Sequence, residues 1–213
     1  EFKNVRDNVR RTNIFGVYDK LKNIWVCAAQ SKYIISAVNP KSYDGFTLGF
    51  KDTRNVFSGY YSFAPENMCT SAMNYVTFKD GKIYLHDQDA IPANYYGVQY
   101  PKRLHVVFNN EPLIEKNQKA LLEEVDELYT LEGIENLRGQ DTYLTAPNFE
   151  LKGTGYCAAL WKDINTPNLT NPLFEGAEIK GFVLVAKFIN ETANATRIVT
   201  FGCEQIPVLR SGF

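Results

Sequence analysis

Lys79-Asp80-Gly81 sits between two short runs of alternating character, and no other feature constrains the chain as strongly. Residues 73–78 and 82–86 alternate apolar or aromatic side chains with polar ones. An Asp-Gly step between such runs is the strongest short-range signal for a β-hairpin. A two-residue connection needs φ > 0 at both central positions, which Gly81 accepts freely and Asp80 tolerates. The turn then predicts Tyr75, Thr77 and Lys79 on one face and Val76 and Phe78 on the other, with Ile83 and Leu85 matching Val76 and Phe78 across it.

The rest of the chain repeats this short-strand style. Residues 13–18 and 23–29 read as strands joined by the polar step Asp19-Lys20-Leu21-Lys22. Runs at 32–38, 46–50 and 56–63 follow, with a turn cluster at 39–45. Strands of this length and spacing suit a meander or one propeller blade. No second copy of the unit recurs at a fixed period. Pro65 ends a strand at the corner 62–67, since proline has no N–H to give a ladder. A polar loop at 87–96 leads to the turn 95–101, which closes on Pro101. Further strands are predicted at 104–108, 148–152, 155–161, 178–189 and 196–205, with 190–195 as the loop of a terminal hairpin. Residues 183–188 carry apolar side chains on both faces, as in a central strand or one at a subunit contact. The stretch 114–131 is different. It is rich in helix formers, and Leu121, Leu122, Val125 and Leu128 recur at helical spacing, so propensity predicts one helix near 115–129.

These runs predict an all-β (mainly β) chain. A β-meander or blade-like unit spans 13–63 and a β-sandwich-like unit spans 64–206, with 1–12 and 207–213 as flanking segments. At 213 residues the chain can bury one substantial core or two of roughly 100 residues each. Aromatic residues reach 14%, which suits sheet faces and assembly surfaces. The net charge of −1 and the absence of a basic stripe predict no dedicated, sequence-specific nucleic-acid surface. No run approaches 18 uncharged apolar residues, and no secretory leader is recognisable, so neither membrane insertion nor secretion is expected. The first residue is Glu rather than Met, which reads as an excerpt of a longer polypeptide.

Five motifs in succession carry a resemblance. They are the corner Ser62-Phe63-Ala64-Pro65-Glu66, the hairpin Thr77-Phe78-Lys79-Asp80-Gly81, and the triplet Tyr84-Leu85-His86. After these come the turn Tyr96-Gly97-Val98-Gln99-Tyr100-Pro101 and the exit Val107-Phe108-Asn109-Asn110-Glu111-Pro112. The succession closely resembles a segment of virion tail proteins of crAss-like bacteriophages, of the muzzle or stabilisation type. Gly16-Val17-Tyr18-Asp19 matches a strand pair that precedes the corner in those proteins, and the likeness extends from about residue 16 to 206. The resemblance implies a strand, not a helix, at 114–131. It also implies a non-enzymatic structural role in the phage tail, in a virion protein assembled in the host cytoplasm. The expected partners are copies of itself in a homo-oligomeric ring and other tail proteins of the hub or ring, around the exit channel.

Candidate sites are few. Tyr95, Tyr96, Gln99, Tyr100 and Arg103 form an aromatic and basic set that suits a binding hot spot or a platform for stacking surface glycans. The competing reading has Tyr96 and Tyr100 capping the core. Cys27, Cys69, Cys157 and Cys203 are far apart in strand-like runs and behave as small buried hydrophobes, so no metal site and no cofactor is expected. The acidic tract Glu123, Glu124, Asp126, Glu127 lacks the alternating oxygen ligands and bend glycine of a calcium loop, and reads as a solvated face. His86 lies within reach in sequence of Asp80, Asp87 and Asp89 and of Ser58, Ser62 and Ser71, yet no serine has a nucleophile-elbow context. No catalytic residue is expected. The glycosylation sequons at Asn168, Asn190 and Asn194 read as chance matches in turns.

Overall fold

Antiparallel strands form every long element of the computed structural model, which describes residues 9–33, 45–86, 91–167 and 169–208. The turn 39–44, residues 34–38 of the expected third strand, Asp87, Asp89 and Asn168 lie outside the described residues, as do 1–8 and 209–213 of the flanks. The mainly β class is as the sequence predicts. Contacts divide the chain into two units, Glu1–Tyr100 and Pro101–Phe213.

In the first unit, β1 (Val9–Asp19), β2 (Ile24–Tyr33), β3 (Phe46–Lys51) and β4 (Val56–Tyr61) form an antiparallel meander in chain order. Asp19 fixes its first turn by accepting the backbone N–H groups of Leu21 and Lys22 at 2.9 and 3.2 Å. A second sheet joins β5 (Asn67–Ser71), β6 (Asn74–Lys79) and β7 (Lys82–Leu85). Its hairpin has the expected register, with Val76 opposite Leu85 and Phe78 opposite Ile83. Asp80 and Gly81 both have positive φ, 51° and 71°, as a type I′ turn demands. Val17, Ile24, Val26 and Ala28 of the meander bury together with Phe63, Met68 and Tyr75. That shared core explains why the observed division falls after Tyr100 and not near residue 63: the second sheet closes the inner face of the first. The short pair β8 (Asn94–Tyr95) and β9 (Val98–Gln99) completes the unit.

The second unit is a two-layer β structure. One layer orders β10 (Lys102–Phe108), β16 (Leu184–Asn190) and β12 (Thr130–Glu135), with β16 central. The other is built on β11 (Lys116–Val125), which pairs with β14 (Gly155–Ala159), β15 (Lys180–Gly181) and β17 (Ile198–Pro207), while β13 (Glu150–Lys152) extends β14. Both layers feed one core, including Phe108, Leu121, Leu131, Ala158, Leu184 and Phe188. Phe201 packs on Phe188 at 4.7 Å between ring centroids.

Two expectations are corrected here. The stretch 116–125 is strand, not helix. Leu121, Glu123 and Val125 point inward at alternate positions, and β17 pairs along the whole strand. Helix propensity is worth only tenths of a kcal/mol per residue and is outweighed by ladders on both edges. The stretch 190–195 does not close a hairpin, because β16 and β17 belong to different layers. Lys102 holds this crossover, donating to Asn194 O at 2.5 Å and to Thr196 Oγ1 at 3.0 Å.

Candidate functional site

The expected binding set divides when folded. Tyr95 and Gln99 lie on the β8–β9 hairpin, whose two turn residues, Tyr96 and Gly97, have φ of 55° and 81°. A tyrosine in the left-handed region costs on the order of 1 kcal/mol or more unless its surroundings hold it there. They do. The Tyr96 hydroxyl donates to Thr77 Oγ1 at 3.0 Å, and its ring meets Tyr84 at 4.5 Å and Phe63 at 5.9 Å. Burial pushes the Tyr96 phenol up to about 12. Tyr95 packs on Phe63 at 4.9 Å and on Tyr100 at 6.1 Å. The Gln99 amide donates to Pro92 O and Tyr100 O, within its own hairpin. Arg103 belongs to the second unit, where it pairs with Glu132 at 3.3 Å on an exposed surface. The aromatic members therefore cap the first core.

His86 is the hub of that cap. Its ring stacks on Tyr75 at 4.8 Å and 10°, and lies 4.6 Å from Phe63. Its Nε2 meets Thr77 Oγ1 at 2.7 Å. A hydroxyl beside an imidazole has the form of an activated nucleophile, but Thr77 is fully buried. Without access for a substrate, the contact serves to lock the second sheet to the residues that cap it.

Elsewhere the polar groups are mostly structural. The acidic tract is not wholly a solvated face: Glu123 is fully buried on β11, accepting the Tyr129 N–H at 3.0 Å, and burial pushes its carboxyl up to about 8. Asn190 is buried too, its amide donating to Leu128 O at 2.9 Å. All four cysteines are free thiols, and Cys27 and Cys69 are exposed, contrary to the expected burial. No group of three or more metal-ligating side chains occurs among the described residues. A cleft of about 570 Å³ on the second unit is lined by residues that include Ala120, Leu122, Cys157, Ala159, Trp161 and Leu173.

The feature missed from sequence is the outer face of the meander. Inward positions alternate with outward ones, so Phe15, Val17, Ile24, Val26 and Thr47 face the core or its edge. The register then aligns the outward residues in rows across four strands. One row is Tyr18, Trp25, Phe50 and Phe57. Its ring contacts are 5.0 Å for Tyr18–Trp25 and 5.4 Å for Phe50–Phe57. The next row is Gly16, Cys27, Leu48 and Tyr60, and the last is Ile14, Ala29 and Phe46. No residue in these rows is charged. Contiguous apolar surface of this kind on a folded unit marks an interaction site.

No protein-family model matches the chain, and no curated protein matches it significantly.

Proposed function

We propose that this chain is a non-enzymatic structural module of a phage tail, a virion protein that assembles with copies of itself and with other tail proteins. The observation that carries the assembly half of this reading is the set of uncharged, largely aromatic rows on the outer face of the β1–β4 sheet. Interfaces of permanent assemblies are the more hydrophobic kind, resembling a core cut in half. The phage half rests on the succession of motifs from the Ser62–Glu66 corner to the Val107–Pro112 exit. Light scattering on the full-length chain, alone and with tail hub or ring proteins, tests both halves. A ring-like oligomer or a stable complex is expected. A clean monomer at high concentration with no affinity for any tail protein overturns the reading.

Glycan binding at Tyr95–Tyr100 is the second reading. It is less well supported, because the Tyr96 hydroxyl and the Gln99 amide are already engaged within the first unit. Glycan-array binding lost in Tyr96→Ala, with the fold intact, would reverse that order.

A further inference from the structure

The outer face of the meander is graded in one direction along one of its rows. Its middle row runs Gly16, Cys27, Leu48, Tyr60 from β1 to β4, from no side chain to one of the largest. A row that tapers in this way is complementary to its own copy turned about a two-fold axis parallel to the strands. In that arrangement β1 of each copy lies over β4 of the other. Tyr60 enters the notch above Gly16, and Leu48 meets Cys27. The aromatic row is closed on its counterpart by the same operation, with Tyr18 over Phe57 and Trp25 over Phe50.

We infer that this face pairs two copies of the chain, sheet against sheet, with Tyr60 of each seated over Gly16 of the other. The inference rests on the assembly reading above and names its partner. Size supports a copy as the occupant. Exposures are 76% at Ile14, 44% at Trp25, 51% at Phe46, 70% at Phe57 and 81% at Tyr60. With about 150–250 Å² on each free large side chain, they leave roughly 500–800 Å² of mainly apolar surface. A standard interface needs about 800 Å² per partner, and the half-exposed members of the rows approach that. Charge supports it as well. The three rows hold no Lys, Arg, Asp or Glu, so they neither repel their own copy nor select an oppositely charged partner. Two twisted antiparallel sheets pack face to face at about 30°, so the pairing needs no change within either copy.

Two substitutions test the pairing from opposite sides, on the full chain. Tyr60→Arg places a charge on the face. Gly16→Phe fills the notch, and a Cβ there meets only Cys27 Sγ at 3.9 Å within the fold. Sedimentation velocity should show a dimer, or a larger species built on dimers, for the parent. Each single variant should lose that pairing while keeping its melting temperature and circular dichroism. The double variant Gly16→Phe, Tyr60→Ala moves the bulk from one edge to the other and should regain it. Cys27 is exposed in the single chain and lies under Leu48 of the other copy when paired, so iodoacetamide should alkylate it in Tyr60→Arg and spare it in the parent dimer. A monomeric parent, or an oligomer unchanged in both single variants, overturns the inference. Complex formation with tail proteins is measured separately, so an oligomer or complex that survives both variants overturns this face and leaves the assembly reading standing.

Discussion

Thr77 Oγ1 and His86 Nε2 meet at 2.7 Å inside the first unit, nine residues apart along the chain and joined through the β6–β7 hairpin. The Tyr96 hydroxyl reaches the same oxygen at 3.0 Å. One hydroxyl thereby ties the second sheet to the β8–β9 hairpin, which contributes no long strand of its own.

Thr77→Val should destabilise the first unit by about 1–3 kcal/mol, because it removes a buried partner from both His86 and Tyr96 without changing side-chain shape. Thr77→Ser keeps the hydroxyl and gives up one methyl, so it should retain the Tyr96 contact. Urea denaturation of the three proteins checks this. Equal midpoints for Thr77→Val and the parent would show that the contact adds no stability.

Gly81→Val should cost on the order of 1–3 kcal/mol through backbone strain alone. Gly81 has φ of 71°, and nothing lies within 4 Å of a Cβ built there, so steric crowding plays no part. Lys82→Gln, on the exposed side of the same turn, should stay within about half a kcal/mol. Thermal melts of both variants separate the turn effect from a general surface effect.

This hairpin was legible in the sequence because its signal is local: turn chemistry and alternation are read from consecutive residues. The strand 116–125 was not legible in the same way. Its inward positions include Lys116, Gln118 and Glu123 beside Leu121 and Val125, and the pairing shifts between Gln118 and Ala120, so no period of two survives. Lys116 is nonetheless at home there, its ammonium donating to the carbonyls of Asn110 and Glu111. The strand Thr130–Glu135 escaped notice for a similar reason, with Gly133 in its middle and only Leu131 and Ile134 as long apolar side chains. The expected binding set was contiguous in sequence but divides between two units. The aromatic face is the reverse case: its rows draw on residues from 14 to 60, and only the strand register brings them together.

Glu123 should make the second unit lose stability as pH rises. Its carboxyl is raised from 4.5 to about 8 by burial, so the folded chain keeps a proton that the unfolded chain releases. The associated stability is complete below about pH 4.5 and is lost as pH rises through about 8. Glu123→Gln keeps the acceptor for the Tyr129 N–H and cannot ionise. Its stability should fall less steeply than the parent's between these limits, and it should be the more stable protein at pH 9. Parallel curves for the two across that range would mean the carboxyl is ionised in the fold.

The two tryptophans divide the chain between them, Trp25 in the first unit and Trp161 in the second. Trp161→Phe therefore leaves a fluorescence reporter for the first unit, and Trp25→Phe leaves one for the second. The two buried clusters share no residue, so each should unfold in its own transition, with midpoints that differ in denaturant. Leu184 is fully buried in the second core. Leu184→Ala should cost about 2–5 kcal/mol, and only the transition reported by Trp161 should move. Val26, fully buried in the first core, gives the converse: Val26→Ala should move the transition reported by Trp25 and leave the other in place. If either substitution shifts both transitions together, the units fold as one cooperative body and the division after Tyr100 has no thermodynamic meaning.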